Sequence, residues 1–345
     1  MKKFYCQDFI MSLPKAELHI HLEGTLSPEQ YLFFAQRNNI HVPYSNVDEV
    51  KKDLYSFSDL SSFIAAYKKV SQVLCTEADF YDLTFAYLKK AHSQGVLHTE
   101  IFFDFQCSSY RGIAPSALIN GMHQAYVDAL AQFNITASSI LSILRDSSEE
   151  DAFKAYDLLR IYKDNIVGIG LASIEKGNPP SKFERVFARA REDGYHLTAH
   201  AGEEVGSDYI RQAITQLHVE RIDHGISCMR DPLLVHTLAA TQLPLTVCPL
   251  SNVALGNVSS LETHPIRAMF DAGLMVTINS DDPAFFDGYI ADNYIALGQS
   301  SIFSCAELVT CARNSFLASF CSIEAKKRYL AQLDEYCYQH ECLGS

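Results

Sequence analysis

The sequence lacks the features of a secreted or membrane-spanning protein. Its ten cysteines form no CxxC pair, and the opening stretch MKKFYCQDFIMSLP has no sustained apolar region that would act as a secretory signal. We therefore expect free thiols in a cytoplasmic protein rather than a disulfide framework. No apolar run reaches the length of about 18 residues that a membrane span needs, so the sequence predicts no such span.

Basic residues are also scarce. The chain has 28 Lys and Arg against 41 Asp and Glu, which gives a formal net charge of −13. Such a charge repels phosphate backbones and anionic membranes. The sequence therefore predicts neither nucleic acid nor membrane as a partner, favours a small neutral or cationic ligand, and leaves a homo-oligomer open.

Eight short apolar runs alternate with longer segments of helical pattern. Several runs are apolar on both faces, as in a parallel sheet covered by helices. Repeated strand–helix units imply parallel pairing through right-handed crossovers, and eight of them predict an α/β protein with a (β/α)₈ TIM barrel. An open doubly wound sheet is the alternative. The runs are Glu17–Leu22, Leu97–Phe103, Ile135–Leu144, Ile166–Ala172, His196–His200, Arg221–His224, Leu243–Cys248 and Met275–Asn279.

Capping patterns place helices between these strands. Ser27, followed by Pro28 and then Gln30, predicts a helix start, and Thr76 predicts another. A third capping box is predicted at 181–184, before a helix that ends at a glycine.

Two helical regions exceed the minimal barrel. Residues 26–95 hold more helix than one crossover needs, so we predict a helical insertion over the barrel mouth. Residues 303–345 predict a helical C-terminal tail. No linker rich in Pro, Gly or Ser and no internal repeat divides the chain, so we predict one domain over 1–345.

Polar side chains follow the predicted strands at their C-terminal ends, where barrels of this kind carry their active sites. His19 and His21 lie two apart on one strand and share a face. His200 and Asp281 follow the fifth and eighth strands. Three histidines and a carboxylate suit a single zinc or similar divalent ion with an open position for water. Hydrogen-bonded core histidines are the alternative.

Two further ionisable residues follow strands at the same end. Glu203 lies three residues after His200, and a carboxyl shielded from water there can hold a raised pKa and act as a proton donor. His224 could orient a metal-bound water and take up its proton. A solvated Glu203 and a structural His224 bonded to its own turn are the alternatives.

Five motifs stand in the order typical of the adenosine/adenine deaminase family of metal-dependent hydrolases, which the chain resembles over about 14–283. Two longer stretches, Gly168–Phe187 and Asn279–Tyr294, are similar to those of adenine deaminases. The five motifs are PKAELHIHLEG (14–24), HAGE (200–203), RIDHG (221–225), CPLSN (248–252) and SDDP (280–283).

The resemblance implies a barrel with one zinc ion per chain and deamination of a small-molecule 6-aminopurine, most directly adenine to hypoxanthine and ammonia. Glu203 matches the family's proton donor, His224 the residue that assists activation of water, and Asp282 the acceptor for a purine ring nitrogen. Ser173, after the fourth strand, is a further candidate for substrate binding. The implied metal ligands are His19, His21, His200 and Asp281.

The chain departs from the adenine deaminase pattern at four places after strands. Ala172 stands where Asp is usual, and Asp146 stands where His is expected. Residues 104–109 read DFQCSS in place of DPQTHT, and VALG follows Asn252. These changes spare the metal and proton-transfer residues, so they bear on substrate identity. They leave open a deaminase of adenosine, of a modified adenine or of a larger nucleoside such as aminodeoxyfutalosine.

Two alternatives belong to other classes. A binuclear amidohydrolase would place a bridging Lys or Glu at the end of the fourth strand, where Glu175 and Lys176 lie slightly beyond. A non-enzymatic purine-binding protein on the same scaffold would lack one of the ligands or proton-transfer residues, and none is missing.

Overall fold

Alternating strands and helices build a barrel in the computed structural model, which describes residues 7–340. The eight strands form one sheet in chain order, and each pairs in parallel with the next. The predicted (β/α)₈ barrel is confirmed. The strands are β1 Lys15–His21, β2 Val96–Phe103, β3 Thr136–Leu144, β4 Ile166–Ala172, β5 His196–Ala201, β6 Arg221–His224, β7 Leu245–Val247 and β8 Val276–Ile278.

The barrel closes between β1 and β8, at a point just beyond the end of β8. The His21 N–H donates to the Asp281 carbonyl at 3.0 Å, and the Asp281 N–H donates to the His19 carbonyl at 3.0 Å. Ile20 and Asp281 form an isolated parallel bridge there. The backbone seam therefore passes through residues that the sequence analysis assigned to a metal site.

The helices follow the strands around the outside of the barrel. Four of them lie between β1 and β2, in the region predicted as an insertion. The α-helices of the described residues are α1 Gln7–Ser12, α2 Pro28–Arg37, α3 Val47–Leu54, α4 Leu60–Val70, α5 Glu77–Ser93, α6 Phe105–Ser109, α7 Pro115–Phe133, α8 Glu149–Leu159, α9 Glu184–Glu192, α10 Ser207–Gln212, α11 Pro232–Thr241, α12 Pro249–Ala254, α13 Ile266–Asp271, α14 Ile290–Gln299, α15 Cys305–Ala318 and α16 Ile323–Gln339.

Two of the three predicted helix starts are confirmed. The Ser27 hydroxyl accepts the Gln30 N–H at 3.2 Å to start α2, and Thr76 caps α5 in the same way. The predicted box at 181–184 is wrong. Pro180–Phe183 forms a 3₁₀ turn, and α9 follows it without a side-chain cap. The proline fixes φ for a helical first turn, so the serine that was expected to cap lies inside that turn.

The helical C-terminal region contains more than a tail. α15 packs against β8 and β1, and the Ser315 hydroxyl accepts the Ala16 N–H at 2.8 Å. This helix therefore covers the barrel seam as the eighth outer helix, and α16 packs beyond it.

The cysteines and the hydropathy follow the sequence predictions. Among the described residues, no helix has the length and apolar character required to cross a bilayer. Cys6 and Cys342 lie outside the described residues. The free thiols include Cys75, Cys107, Cys228, Cys248, Cys311 and Cys321.

Candidate active site

A pocket opens at the C-terminal ends of the strands, and α4 forms one of its walls. His19 lies just behind this lining, fully buried, with its ring centroid 4.5 Å from that of His200. The structure therefore brings all eight predicted site residues to one place. Those that line the pocket are His21, Ser173, His200, Glu203, His224, Asp281 and Asp282.

Four imidazoles surround the Asp281 carboxylate. Nε2 of His19 lies 3.2 Å and Nε2 of His21 lies 3.4 Å from Asp281 Oδ1. Nε2 of His200 is 3.2 Å from Nε2 of His21. His224 approaches the other carboxylate oxygen, with its Nε2 3.8 Å from Asp281 Oδ2.

Two overlapping groups of residues could each hold a metal ion, because the donor atoms within each group lie within 4.8 Å of one another. Asp281 belongs to both groups. One adds His19, His200 and His224, and the other adds His21 and Asp282.

The buried Asp223 orients the His19 ring through the hydroxyl of Thr246. The Thr246 hydroxyl donates to Asp223 Oδ1 at 2.9 Å and lies 3.0 Å from His19 Nδ1. Because the only hydroxyl proton goes to Asp223, the Thr246 oxygen accepts the His19 Nδ1–H, and the lone pair of His19 remains on Nε2. That Nε2 is buried and has no hydrogen-bond partner among the described residues. His200 has a related arrangement, with its Nδ1 3.5 Å from Asp223 Oδ2.

This donor set fits a divalent metal ion. Histidine ligands of metals usually turn their second ring nitrogen toward a carboxylate or another acceptor, as His19 and His200 do. Burial lowers the pKa of His21 to about 3, so this ring is neutral. Burial alone would raise the pKa of Asp281, but His19 and the neighbouring rings hold it well below its usual range. Neutral imidazoles and an ionised carboxylate are the protonation states that metal binding requires.

Glu203 is a buried carboxyl rather than a solvated one. Burial raises its pKa well above the usual range, and the Asp281 and Glu175 carboxylates raise it further. The Asn257 side-chain N–H donates to Glu203 Oε1 at 3.0 Å, while Oε2 lies 3.6 Å from His224 Nε2. The raised pKa favours the protonated form of Glu203, which can donate its proton inside the pocket.

Glu175 holds the loop that carries Glu203, a role that the sequence analysis missed. Its carboxylate accepts four backbone N–H groups, from Gly202 at 2.6 Å, Glu203 at 3.0 Å, Glu204 at 2.7 Å and Val205 at 3.1 Å. No sequence pattern signals this contact, because it joins the loops after β4 and β5. The carboxylate is thus occupied with backbone groups, which disfavours the bridging role of the binuclear alternative.

Asp282 occupies space that Gly24 leaves free. A Cβ on Gly24 would lie 1.9 Å from Asp282 Oδ1. Burial and the adjacent Asp281 carboxylate raise the pKa of Asp282 well above its usual range. Asp282 lines the pocket, and its Oδ1 has no hydrogen-bond partner within residues 7–340. Such a group is available to a polar ligand.

Two more buried carboxyls stand on the same side of the pocket. Glu23 Oε1 accepts the Asp104 N–H at 3.2 Å, and the Tyr67 hydroxyl donates to Glu23 Oε2 at 3.2 Å. Burial and the neighbouring Asp104 raise the pKa of Glu23 to about 8. Burial likewise raises the pKa of Asp104. Asp104 lines the pocket, so this wall presents a buried carboxyl to a ligand, with Glu23 hydrogen-bonded behind it.

The position where histidine was expected takes part in an ion pair across the mouth. Asp146 Oδ2 lies 2.8 Å from the Nζ of Lys68, which projects from α4. Lys68 lines the pocket with Leu60, Phe63 and Tyr67 of the same helix. Asp146, which stands where the adenine deaminase pattern has histidine, therefore forms an ion pair with the helix that covers the site.

Three pocket-lining residues adopt left-handed backbone conformations that are uncommon for residues with a side chain. The φ angles are 78° at Ser173, 62° at His224 and 65° at Asp281. Each follows or ends a strand, and each is placed by the turn that leads out of the barrel. Strain of this kind clusters at functional sites.

A protein-family model described as adenosine deaminase matches residues 14–336. The chain belongs to the adenosine deaminase family. Its members are metal-dependent hydrolases, and this member has a buried histidine and aspartate cluster that can bind a metal ion. The chain is accordingly a hydrolytic deaminase that acts on C–N bonds.

Individual relatives within the adenosine deaminase family cover almost the whole chain. An adenine deaminase of Chlorobium phaeobacteroides is 48% identical over 95% of this chain and 98% of its own length. One of Crocosphaera subtropica is 49% identical over 94% and 99%. The crystal structure of an adenine deaminase from Arthrobacter aurescens superposes with a TM-score of 0.92 at 46% identity, covering 94% of this chain and 99% of that one.

Proposed function

We propose that this deaminase is a zinc enzyme that converts adenine and water into hypoxanthine and ammonia. The observation that carries the proposal is the buried Glu203 carboxyl, which faces the same pocket as the converging imidazoles. The adenine deaminases that resemble the chain at 43–49% identity support the choice of substrate.

The metal would be held by three imidazoles and one carboxylate. A nitrogen and oxygen donor set of this size suits zinc. When bound, the ion would act as a Lewis acid that lowers the pKa of water toward neutrality. The proposed ligands are His19, His21, His200 and Asp281.

The side chains then divide the work of deamination. Addition of water at C6 of the purine removes ring aromaticity, so the ring nitrogen beside C6 must take up a proton. Glu203 supplies that proton, and His224 orients the attacking water from the neighbouring strand. Asp282 binds the imidazole side of the purine and fixes its register, with Ser173 as a second polar contact at the rim. The C6 amino group takes up the proton that the attacking water releases and leaves as ammonia, and the proton of the remaining C6 hydroxyl restores the Glu203 carboxyl.

Helix α4 excludes bulk water from this reaction. Its buried Phe63 and Tyr67 lie in the pocket wall together with Leu60. Such a covered site favours a small planar base and strengthens the electrostatic contacts inside it.

A second candidate substrate is a 6-aminopurine with a polar extension, such as adenosine, aminodeoxyfutalosine or a modified adenine. The Lys68–Asp146 pair at the rim favours it, because it places a cation and an anion where such an extension would leave the pocket. Initial rates of ammonia release from adenine, adenosine and aminodeoxyfutalosine, measured side by side, separate the two. We expect adenine to have the highest kcat/KM, and a higher value for a nucleoside would assign the second candidate.

Replacing the proton donor tests the chemistry. We expect Glu203→Gln to retain fold and metal but to lose about 10²- to 10⁴-fold in kcat, since the amide cannot supply the proton. Glu204→Gln, on the same loop but outside the pocket lining, is the matched control and should stay near wild-type activity. Full activity of Glu203→Gln would refute the assignment.

Metal analysis tests the ligand set. We expect one zinc per chain in the wild-type protein and a clear loss of zinc in His19→Ala, because the variant lacks one ligand. Two metals per chain would support the binuclear alternative instead.

A further inference from the structure

A chain of hydrogen bonds leads from a backbone N–H to the catalytic His224. The Ile266 N–H donates to His264 Nδ1 at 3.0 Å. His264 Nε2 lies 3.1 Å from Asn252 Oδ1, and Asn252 Nδ2 lies 3.2 Å from His224 Nδ1. All three side chains are buried, so water does not compete for these contacts.

The direction of every bond in this chain follows from its first member. A backbone N–H can only donate, so His264 Nδ1 accepts and the ring proton of His264 resides on Nε2. That N–H needs an acceptor, which assigns the facing atom of Asn252 as its oxygen. The Asn252 NH₂ group therefore donates to Nδ1 of His224. Burial lowers the pKa of His264 to about 4, so this ring is neutral, as the direction requires.

His224 consequently differs from the proposed metal ligands in where its proton lies. His19 gives its Nδ1–H to Thr246 and keeps a lone pair on Nε2. His224 accepts at Nδ1, so its neutral ring carries the proton on Nε2. That Nε2–H points between Glu203 Oε2, at 3.6 Å, and Asp281 Oδ2, at 3.8 Å.

We propose that His264 and Asn252 are positioning residues that hold His224 as its Nε2–H tautomer. His224 then donates a hydrogen bond to the attacking oxygen and neither takes up the water proton at Nε2 nor ligates the metal. The assignment of the attacking oxygen as the acceptor of this hydrogen bond rests on the proposed function, whereas the tautomer of His224 does not. It also selects His21 over His224 as the third imidazole ligand.

An isosteric replacement reverses the arrangement. In Asn252→Asp, the new carboxylate can only accept, so it accepts one hydrogen bond from the His264 Nε2–H and one from a His224 Nδ1–H. The lone pair of His224 then moves to Nε2. We expect kcat to fall on the order of 10²- to 10⁴-fold with KM little changed, as for other enzymes whose catalytic histidine is held in the wrong tautomer.

Two further variants separate positioning from packing. His264→Gln retains an N–H donor toward Asn252 and should preserve most of the activity, whereas His264→Leu removes the donor and should not. Asn314→Asp makes the same chemical change at a half-buried site outside the pocket, where Asn314 donates to the Val276 carbonyl at 3.0 Å. It should stay near wild-type activity.

The direct readout is the tautomer of His224 in zinc-loaded, histidine-¹⁵N-labelled protein. Long-range ¹H–¹⁵N correlation distinguishes protonated from unprotonated ring nitrogens, and His224→Gln assigns the signals. We expect unprotonated Nδ1 in the wild type and protonated Nδ1 in Asn252→Asp. Protonated Nδ1 in the wild type, or the same tautomer in both proteins, would overturn the proposal. If the wild type released no ammonia from adenine, the proposed function would be refuted, but the measurement would still test the tautomer of His224.

Discussion

Gly24 shows how a single residue shapes the candidate active site. Its missing side chain leaves room for Asp282, since an added Cβ would lie 1.9 Å from the carboxylate oxygen. We expect Gly24→Ala to lower kcat/KM by about 10²-fold, the typical effect of misplacing a substrate-binding group by about 1 Å. Gly206→Ala is the matched control, because an added Cβ there meets nothing within 4 Å. Equal activity of the two variants would contradict this account.

The protonation of Glu203 sets an expected pH dependence. Burial raises its pKa well above the usual range, so the protonated form persists to higher pH than in an exposed glutamate and is lost as the pH rises through the raised pKa. We therefore expect an alkaline fall in kcat/KM for adenine. Asn257 donates to Glu203 and lowers its pKa, so Asn257→Ala should shift this fall to higher pH. A shift in the opposite direction would argue against Glu203 as the donor.

What could be predicted from the sequence at this scale was which ionisable residues meet at the pocket, while their roles stay predictions. A histidine pair at strand spacing and isolated ionisable groups at strand ends are local patterns. The contacts of Glu175 and the link from His264 through Asn252 were not predictable, because each joins separate loops. The left-handed backbone at His224 was also not predictable, since no local pattern marks it.

At the scale of elements, Glu175 ties the loop after β4 to the loop after β5. Hydrogen bonds to charged groups contribute about 1.5–3 kcal/mol each, and this carboxylate accepts four backbone N–H groups. We expect Glu175→Gln to lower the free energy of unfolding by about 2–3 kcal/mol, measured by urea denaturation. The exposed Glu192→Gln is the control. Zinc content should remain at one per chain, whereas a bridging Glu175 would lose metal.

Strands were predicted better than helix ends. Runs of apolar residues gave all eight strands to within two residues at either end. The box at 181–184 failed because Pro180 starts the turn earlier. α15 was taken for part of a tail because the amphipathic pattern of a helix does not show which strands it packs against.

For the whole molecule, the single-domain organisation stays a prediction. It implies one cooperative thermal transition in which helical and near-ultraviolet signals change together. Two separated transitions would contradict it.

Metal removal is expected to act on the same transition. A ligand that binds only the folded state stabilises it by about 2.7 kcal/mol at a concentration of 100 times Kd. Chelation should therefore lower the Tm of the wild-type protein, as followed by calorimetry. The Tm of His19→Ala, which lacks one proposed ligand, should change far less on chelation. An equal change in Tm would show that the histidine and aspartate cluster does not bind the metal.

The barrel seam is closed by the backbone amides of two proposed metal ligands. The amides of His21 and Asp281 close the ring of strands, and their side chains converge on the same point. Deuterium uptake at these two amides should therefore slow when zinc occupies the site. Mass spectrometry of peptides that contain them would then report cofactor occupancy without any substrate being added.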